Sequence, residues 1–294
     1  MKKVVFAYHS IDSSQHPAVN GSFPISMDRF KKQISSIIDK GWVAGKTSEI
    51  HNENKYNTFY VTGDDGTVDW LNNVLPWCEK NNIPTHTALI TGPWQEKPVY
   101  PMTHFVQLLL VMRSTEALEM LSRKIKSYIK EEHINYIDKM YGHETLEYRR
   151  IIKGAINLII QPEEAIKLIG EPTLDEEKAL HGRFGFPEHY LQYKNAEFGT
   201  HTVSHFGVDV NIEKYIKEEV VPNRKHIIDA GLPCTTIFTL PMKPRHGVTN
   251  NDLEPFLKEN GFTGMYTDEG IWDKKSFVIQ RIDAKNIELF IENL

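Results

Sequence analysis

Strand-like and helix-like segments alternate through the first hundred residues, and that rhythm restricts the fold more than any other feature. Lys3–Tyr8 is a compact run rich in β-branched and aromatic residues. Residues 28–40 repeat apolar side chains at Phe30, Ile34, Ile37 and Ile38, the spacing of one helical face. Residues 59–62 return to strand character. Residues 68–81 then set Trp70, Leu71, Val74 and Leu75 on one helical side, and residues 85–91 read as the next strand. A βαβα order of this kind builds a mostly parallel sheet or barrel flanked by helices.

Pro93, Pro98 and Pro101 break the pattern, and helical periodicity follows alone. Residues 114–132 carry Leu118, Met120, Leu121, Ile125 and Ile129 between charges, and residues 145–160 and 162–169 continue in the same style. Residues 100–195 are therefore read as an inserted α-helical subdomain, splitting the barrel into residues 1–99 and 196–294. Its dense apolar positions need a partner surface: the barrel, its own core, or a second copy in a homo-oligomer. Arg149, Arg150 and Lys153 could meet a phosphate, although a charge cluster on a helix is more often a solvated face. After the insertion the alternation resumes, with helices at 212–230 and 252–259 and strands at 235–240, 264–267 and 277–282.

The 294 residues carry a net charge of −5 with a pI near 6.2, the opposite of a nucleic-acid binder's basic patch. Two cysteines, Cys78 and Cys234, do not make a disulfide framework. The apolar run after Lys2-Lys3 ends at Tyr8-His9-Ser10, too short for a signal-peptide core, and no stretch approaches a membrane span. A cytoplasmic location is the expectation.

Two short segments carry the chemistry. Thr62-Gly63-Asp64-Asp65-Gly66 ends a strand-like run with adjacent carboxylates and a glycine, and the carboxyl ends of strands are where α/β folds place their sites. His201-Thr202-Val203-Ser204-His205 offers two imidazoles that share one face if the segment is helical, with Gly199 at the turn and Thr200 as the N-cap. With 13 histidines in the chain, such a pair arises by chance roughly 0.6 times, so the pair alone is weak. Two His and one carboxylate together form a common catalytic metal site with an open position for water.

These segments resemble the NodB-type polysaccharide deacetylases, carbohydrate esterase family 4. His201-Thr202-Val203-Ser204-His205 is similar to the family's His-(Ser/Thr)-x-x-His, and Thr62–Gly66 to its Thr-Phe-Asp-Asp-Gly, with Gly63 as a departure. The stretches Val74-Leu75-Pro76-Trp77, Asn82–Thr87, Ala7-Tyr8-His9-Ser10-Ile11, Leu257–Phe262 and Gln280-Arg281-Ile282-Asp283 add to the likeness. It covers residues 1–99 and 196–294. The fold it implies is a distorted (β/α) barrel.

The resemblance implies a hydrolase that removes an N-acetyl or N-formyl group from an amino sugar, free or in nucleotide- or lipid-linked form. It assigns a divalent metal, zinc foremost, to Asp65, His201 and His205, and makes Asp64 the general base. Many members keep a Leu-x-His near the C-terminus as general acid, and Asn286–Phe290 has no histidine. The acid then falls to His9 or His246, with His9 first, and Arg245 becomes the residue to orient Asp64. The alternatives are a metal-binding, non-catalytic glycan or partner binder and a hydrolase of a small non-sugar amide. The loop His181–Pro187 could contact sugar rings or be a plain connection.

Overall fold

The computed structural model describes residues 1–12, 24–208, 210–245, 247–268, 270, 272 and 276–294. Among the described residues nine strands run in chain order: β1 (Lys3–Tyr8), β2 (Val43–Ala44), β3 (Thr58–Gly63), β4 (Thr85–Leu89), β5 (Ala196–Thr200), β6 (Cys234–Thr239), β7 (Gly264–Thr267), β8 (Val278–Gln280) and β9 (Ile282–Asp283). Their order in the sheet is β8-β7-β6-β5-β4-β3-β1-β9, with β2 added beside β3. Every pairing between these strands is parallel.

The sheet closes on itself through its last strands. β8 pairs with β7 and β9 pairs with β1, and only Arg281 separates the two. A single extended run, residues 278–283, therefore changes partner at Arg281 and joins both edges, producing the distorted (β/α) barrel. Arg281 marks the hand-over by donating its backbone N–H to the Thr267 carbonyl at 2.8 Å.

Strand side chains alternate between faces. Val4, Phe6, Tyr8, Phe59 and Val61 point outward, into an apolar layer with Phe30, Ile34 and Ile37 of the helix Met27–Asp39. Val5, Tyr60, Ile237, Tyr266 and Ile279 point inward and form a second, smaller core with Ile50 and Trp272. Continuing that inward series along each strand reaches Asp64, His201 and Arg281 at the carboxyl end of the barrel.

Two flanking helices share a local irregularity with one cause. Trp70–Val74 and Ile216–Val220 are π-helical, and each leads into an α-helical stretch, Leu75–Lys80 or Val221–Asp229, with proline at its second position. Pro76 and Pro222 lack the N–H that would bond back one α-turn, and their rings crowd that carbonyl, so the preceding turn widens.

The Gly63 departure has a steric explanation. A Cβ at Gly63 would lie 2.3 Å from the Trp70 indole, which is fully buried and donates Nε1–H to Thr87 Oγ1 at 3.0 Å. Aromatic volume at this place is supplied by the helix instead of the strand. Gly63→Ala should therefore destabilise the protein by about 1–3 kcal/mol through overpacking. An unchanged urea midpoint would show that Trp70 can move aside.

Residues 100–183 form a separate compact helical unit made of Met102–Met112, Thr115–Tyr128, Glu131–Met140, Glu147–Leu158, Pro162–Ile169 and Leu174–His181. Phe105, Leu109, Leu118, Ile125, Ile137, Ile152 and Ile156 form its own core. The helix expected over 114–132 stops at Tyr128, and a new helix begins at Glu131. The cations considered for a phosphate are engaged within the unit: Arg149 and Lys153 pair with Glu144, and Arg150 with Asp138. Among the described residues no helix is long and apolar enough to cross a membrane.

Candidate active site

At the end of β3 the backbone turns twice through the left-handed region, with φ +71° at Asp65 and +69° at Gly66. Alternation alone would send Asp65 to the face opposite Asp64; the turn brings both carboxylates to one place. Gly66 suits it because positive φ carries no Cβ penalty there, and a Cβ would also meet Leu89 at 2.6 Å. The Gly66 carbonyl accepts from the Gly185 N–H at 2.9 Å and the Tyr190 hydroxyl at 2.8 Å. Thr67 bridges Phe184, and Trp94 donates to the Gly185 carbonyl at 2.8 Å. In the structure, Phe184 and Gly185 of the loop considered for sugar contact, together with Tyr190 just after it, fasten the Asp65 turn.

The two histidines lie on a loop, not on a helix. Residues 201–208 have no regular structure, and Thr202 and His205 stand at φ +69° and +59°. Thr200 closes β5 and does not cap a helix. A helix would have set the imidazoles one turn apart along its axis; the folded loop turns both toward Asp65. His201 Nε2 and His205 Nε2 each lie 3.3 Å from the same oxygen, Oδ1 of Asp65. His201 fixes its ring by pairing Nδ1 with the Thr239 carbonyl at 2.9 Å. A carbonyl only accepts, so Nδ1 carries the proton and Nε2 is the ring nitrogen that a metal could take, the usual outer-shell arrangement of a metal-ligating histidine.

The donor set fits a divalent metal. The three candidate ligand atoms, one each from Asp65, His201 and His205, lie within 4.8 Å of one another, and tetrahedral bonds of about 2.0–2.1 Å would separate such atoms by about 3.3 Å. Two imidazole nitrogens and one carboxylate oxygen suit zinc chemically.

Asp64 stands beside this group with different partners. Arg281, fully buried, grips it with both arms: Nη1 to Oδ1 at 2.8 Å and Nη2 to Oδ2 at 2.7 Å. The same guanidinium reaches Thr62 Oγ1 at 3.1 Å and pairs with Asp268. Burial pushes the Asp64 carboxyl up, but the Arg281 charge and hydrogen bonds outweigh it and hold the pKa at about 2. Asp64 is thus ionised at neutral pH.

His9 follows β1 on the inner side, with Nε2 3.6 Å from Asp64 Oδ2 and its side chain 18% exposed. It belongs to a cluster with Asp64 and Asp268 whose polar atoms lie within 4.8 Å of one another. The sequence expectation gave the orienting of Asp64 to Arg245; among the described residues the arginine that grips Asp64 is Arg281. Arg245 sits over the Phe206 ring at 4.4 Å, and its N–H donates to the Val208 carbonyl. His246 lies outside the described residues. The structure thus brings together Asp64, Asp65, His201, His205 and His9. It adds Arg281 and Asp268, which sequence reasoning missed. The available signal was an arginine two residues after the inward-facing Ile279, inside the run Gln280–Asp283.

No protein-family model and no curated protein matches the sequence. Solved structures do match. A de-N-acetylase from Aggregatibacter actinomycetemcomitans aligns at 15% identity over 99% of this chain and 100% of its own, with a TM-score of 0.59. The Streptococcus pyogenes deacetylase PplD, solved with acetate, aligns at 14% identity over 99% and 98%, with a TM-score of 0.53. The BpsB deacetylase domain from Bordetella bronchiseptica gives 13% identity over 96% and 95%, with a TM-score of 0.52. The chain therefore has the fold of the NodB-type polysaccharide deacetylases.

Proposed function

We propose that this chain is a metal-dependent amide hydrolase that removes an N-acetyl group from an amino sugar of a glycan or its biosynthetic precursor. The observation that carries the reading is the contrast between two adjacent carboxylates. Asp65 shares one oxygen with two imidazoles, while Asp64 is gripped by a buried arginine and kept ionised. A site built only to bind a cation has no use for the second carboxylate. The likeness to de-N-acetylase folds supports the choice of an N-acetyl group.

Asp65, His201 and His205 would hold the cation, zinc being the expected one, which when bound supplies Lewis acidity to water and to the acyl oxygen. Asp64 takes the proton of the attacking water through the oxygen edge that Arg281 orients. His9 gives a proton to the amine nitrogen as the C–N bond breaks, leaving acetate and a free amine. Its partial exposure and its place beside Asp64 suit a group that must meet substrate and recover a proton from water.

The test is acetate release from N-acetylglucosamine oligomers and from nucleotide- and lipid-linked N-acetylamino sugars, with and without a chelator. Release that stops with chelator and returns with Zn²⁺ supports the reading. Chelator-insensitive release, or none from any of the three classes, overturns it.

A further inference from the structure

The loop that carries both histidines holds two residues, Thr202 and His205, in a backbone region that side chains with a Cβ avoid. L-residues are disfavoured there, and a β-branched residue such as Thr202 most of all. Such strain persists only where surrounding structure enforces it.

The enforcement comes from one helix face. Asn223 is fully buried and bonds through both ends of its amide. Oδ1 accepts the His201 N–H at 3.2 Å. Nδ2 donates to the carbonyls of Leu89 and Thr202 and to Thr91 Oγ1. The orientation is forced, because a flipped amide would set oxygen against two carbonyls and NH₂ against an N–H. One turn earlier, on the same face, the Glu219 carboxylate accepts from the Ser204 N–H at 2.8 Å and Oγ at 2.7 Å. The Glu219 carbonyl accepts the Val203 N–H at 3.1 Å. From His201 to Ser204, each residue is thus held by Asn223 or Glu219.

We propose that Asn223, seconded by Glu219, is a positioning residue that forces the His201–His205 loop into its metal-binding shape. The inference rests on the metal reading of Asp65, His201 and His205. Asn223 does not touch the three ligand atoms. It bonds the backbone on both sides of the His201–Thr202 peptide, and so sets the direction from which each imidazole meets Asp65.

The test uses Zn²⁺ as probe on the apo-protein, by competition with a chromophoric chelator, beside urea unfolding without metal. Asn223→Ala should weaken Zn²⁺ binding about 10–100-fold, the range for outer-shell changes. Thr202→Gly in the same chain should restore at least tenfold of that loss, since glycine takes positive φ without penalty and the loop no longer needs forcing. A merely structural Asn223 would lose apo-state stability without such repair. Wild-type Zn²⁺ affinity in Asn223→Ala, or a double variant as weak as the single one, would overturn the proposal. If Asn223→Ala is not recovered folded, Glu219→Ala replaces it: weaker Zn²⁺ binding by about tenfold supports the brace, and unchanged binding refutes it. Failure of the wild type to bind Zn²⁺ would sink the metal reading and this proposal with it. A normal wild type with unaffected variants sinks the brace alone.

Discussion

Asp64→Asn is expected to hydrolyse N-acetylated sugar at least 10²-fold and up to 10⁴-fold more slowly than wild type, the range for a lost general base. Its zinc content should be unchanged. The amide cannot take a proton from water, but Asp65, His201 and His205 remain in place, with both imidazole nitrogens on Asp65 Oδ1. Some stability should go as well. An asparagine offers Arg281 one acceptor where the carboxylate offers two, and it removes the negative partner of a fully buried guanidinium. Activity and metal content, measured on the same folded preparation, decide the matter. Near-wild-type turnover would rule Asp64 out as the base, and loss of zinc would mean that Asp64 belongs to the ligand set.

Replacing Arg281 should have the larger effect on stability. Removing one partner of a buried ion pair costs about 3–5 kcal/mol, because the other charge is left without compensation. Arg281→Met leaves Asp64 at 1% exposure with no arginine, and activity should fall with stability. Arg281→Lys keeps the charge but not the two-armed geometry, so it should recover part of the stability and little of the rate. The pH dependence gives an independent check. The folded pKa of Asp64, about 2, lies below its ordinary value of 3.8. The ion pair's contribution is therefore complete above pH 3.8 and fades as pH falls through 2. Without Arg281 the remaining influence of burial raises the carboxyl, so the acidic limb of kcat should move upward toward neutrality. A pH profile of Arg281→Met that overlays wild type would show that the guanidinium does not control Asp64.

Much of the scaffold could be read from periodicity. Lys3–Tyr8 and Gly264–Thr267 are strands with the expected limits, because a period of two and a period of 3.6 leave distinct traces. The helices near 28–40 and 212–230 are equally plain, since each buries one apolar stripe against the sheet. Asp64, Asp65, His201 and His205 were legible as types at a spacing, and the structure brings them together. Their conformation was not legible. Nothing local tells Thr202 to adopt φ +69°; Asn223, 21 residues away, does so through the Thr202 carbonyl. Arg281 escaped for the same reason, since it lies 217 positions along the chain from Asp64. Gly63 looked like a defect because the indole that fills its place comes from the following helix.

The hand-over at residues 278–283 also sets an order of assembly. During synthesis the chain emerges from its N-terminus, so Asp65 and later both histidines are available before Arg281 exists. Until that last strand inserts between β7 and β1, Asp64 has no guanidinium to hold its proton off. On the proposed roles, a nascent or nicked chain could carry the three ligands and still lack a working base. Turnover, unlike cation uptake, then reports that the barrel has been completed.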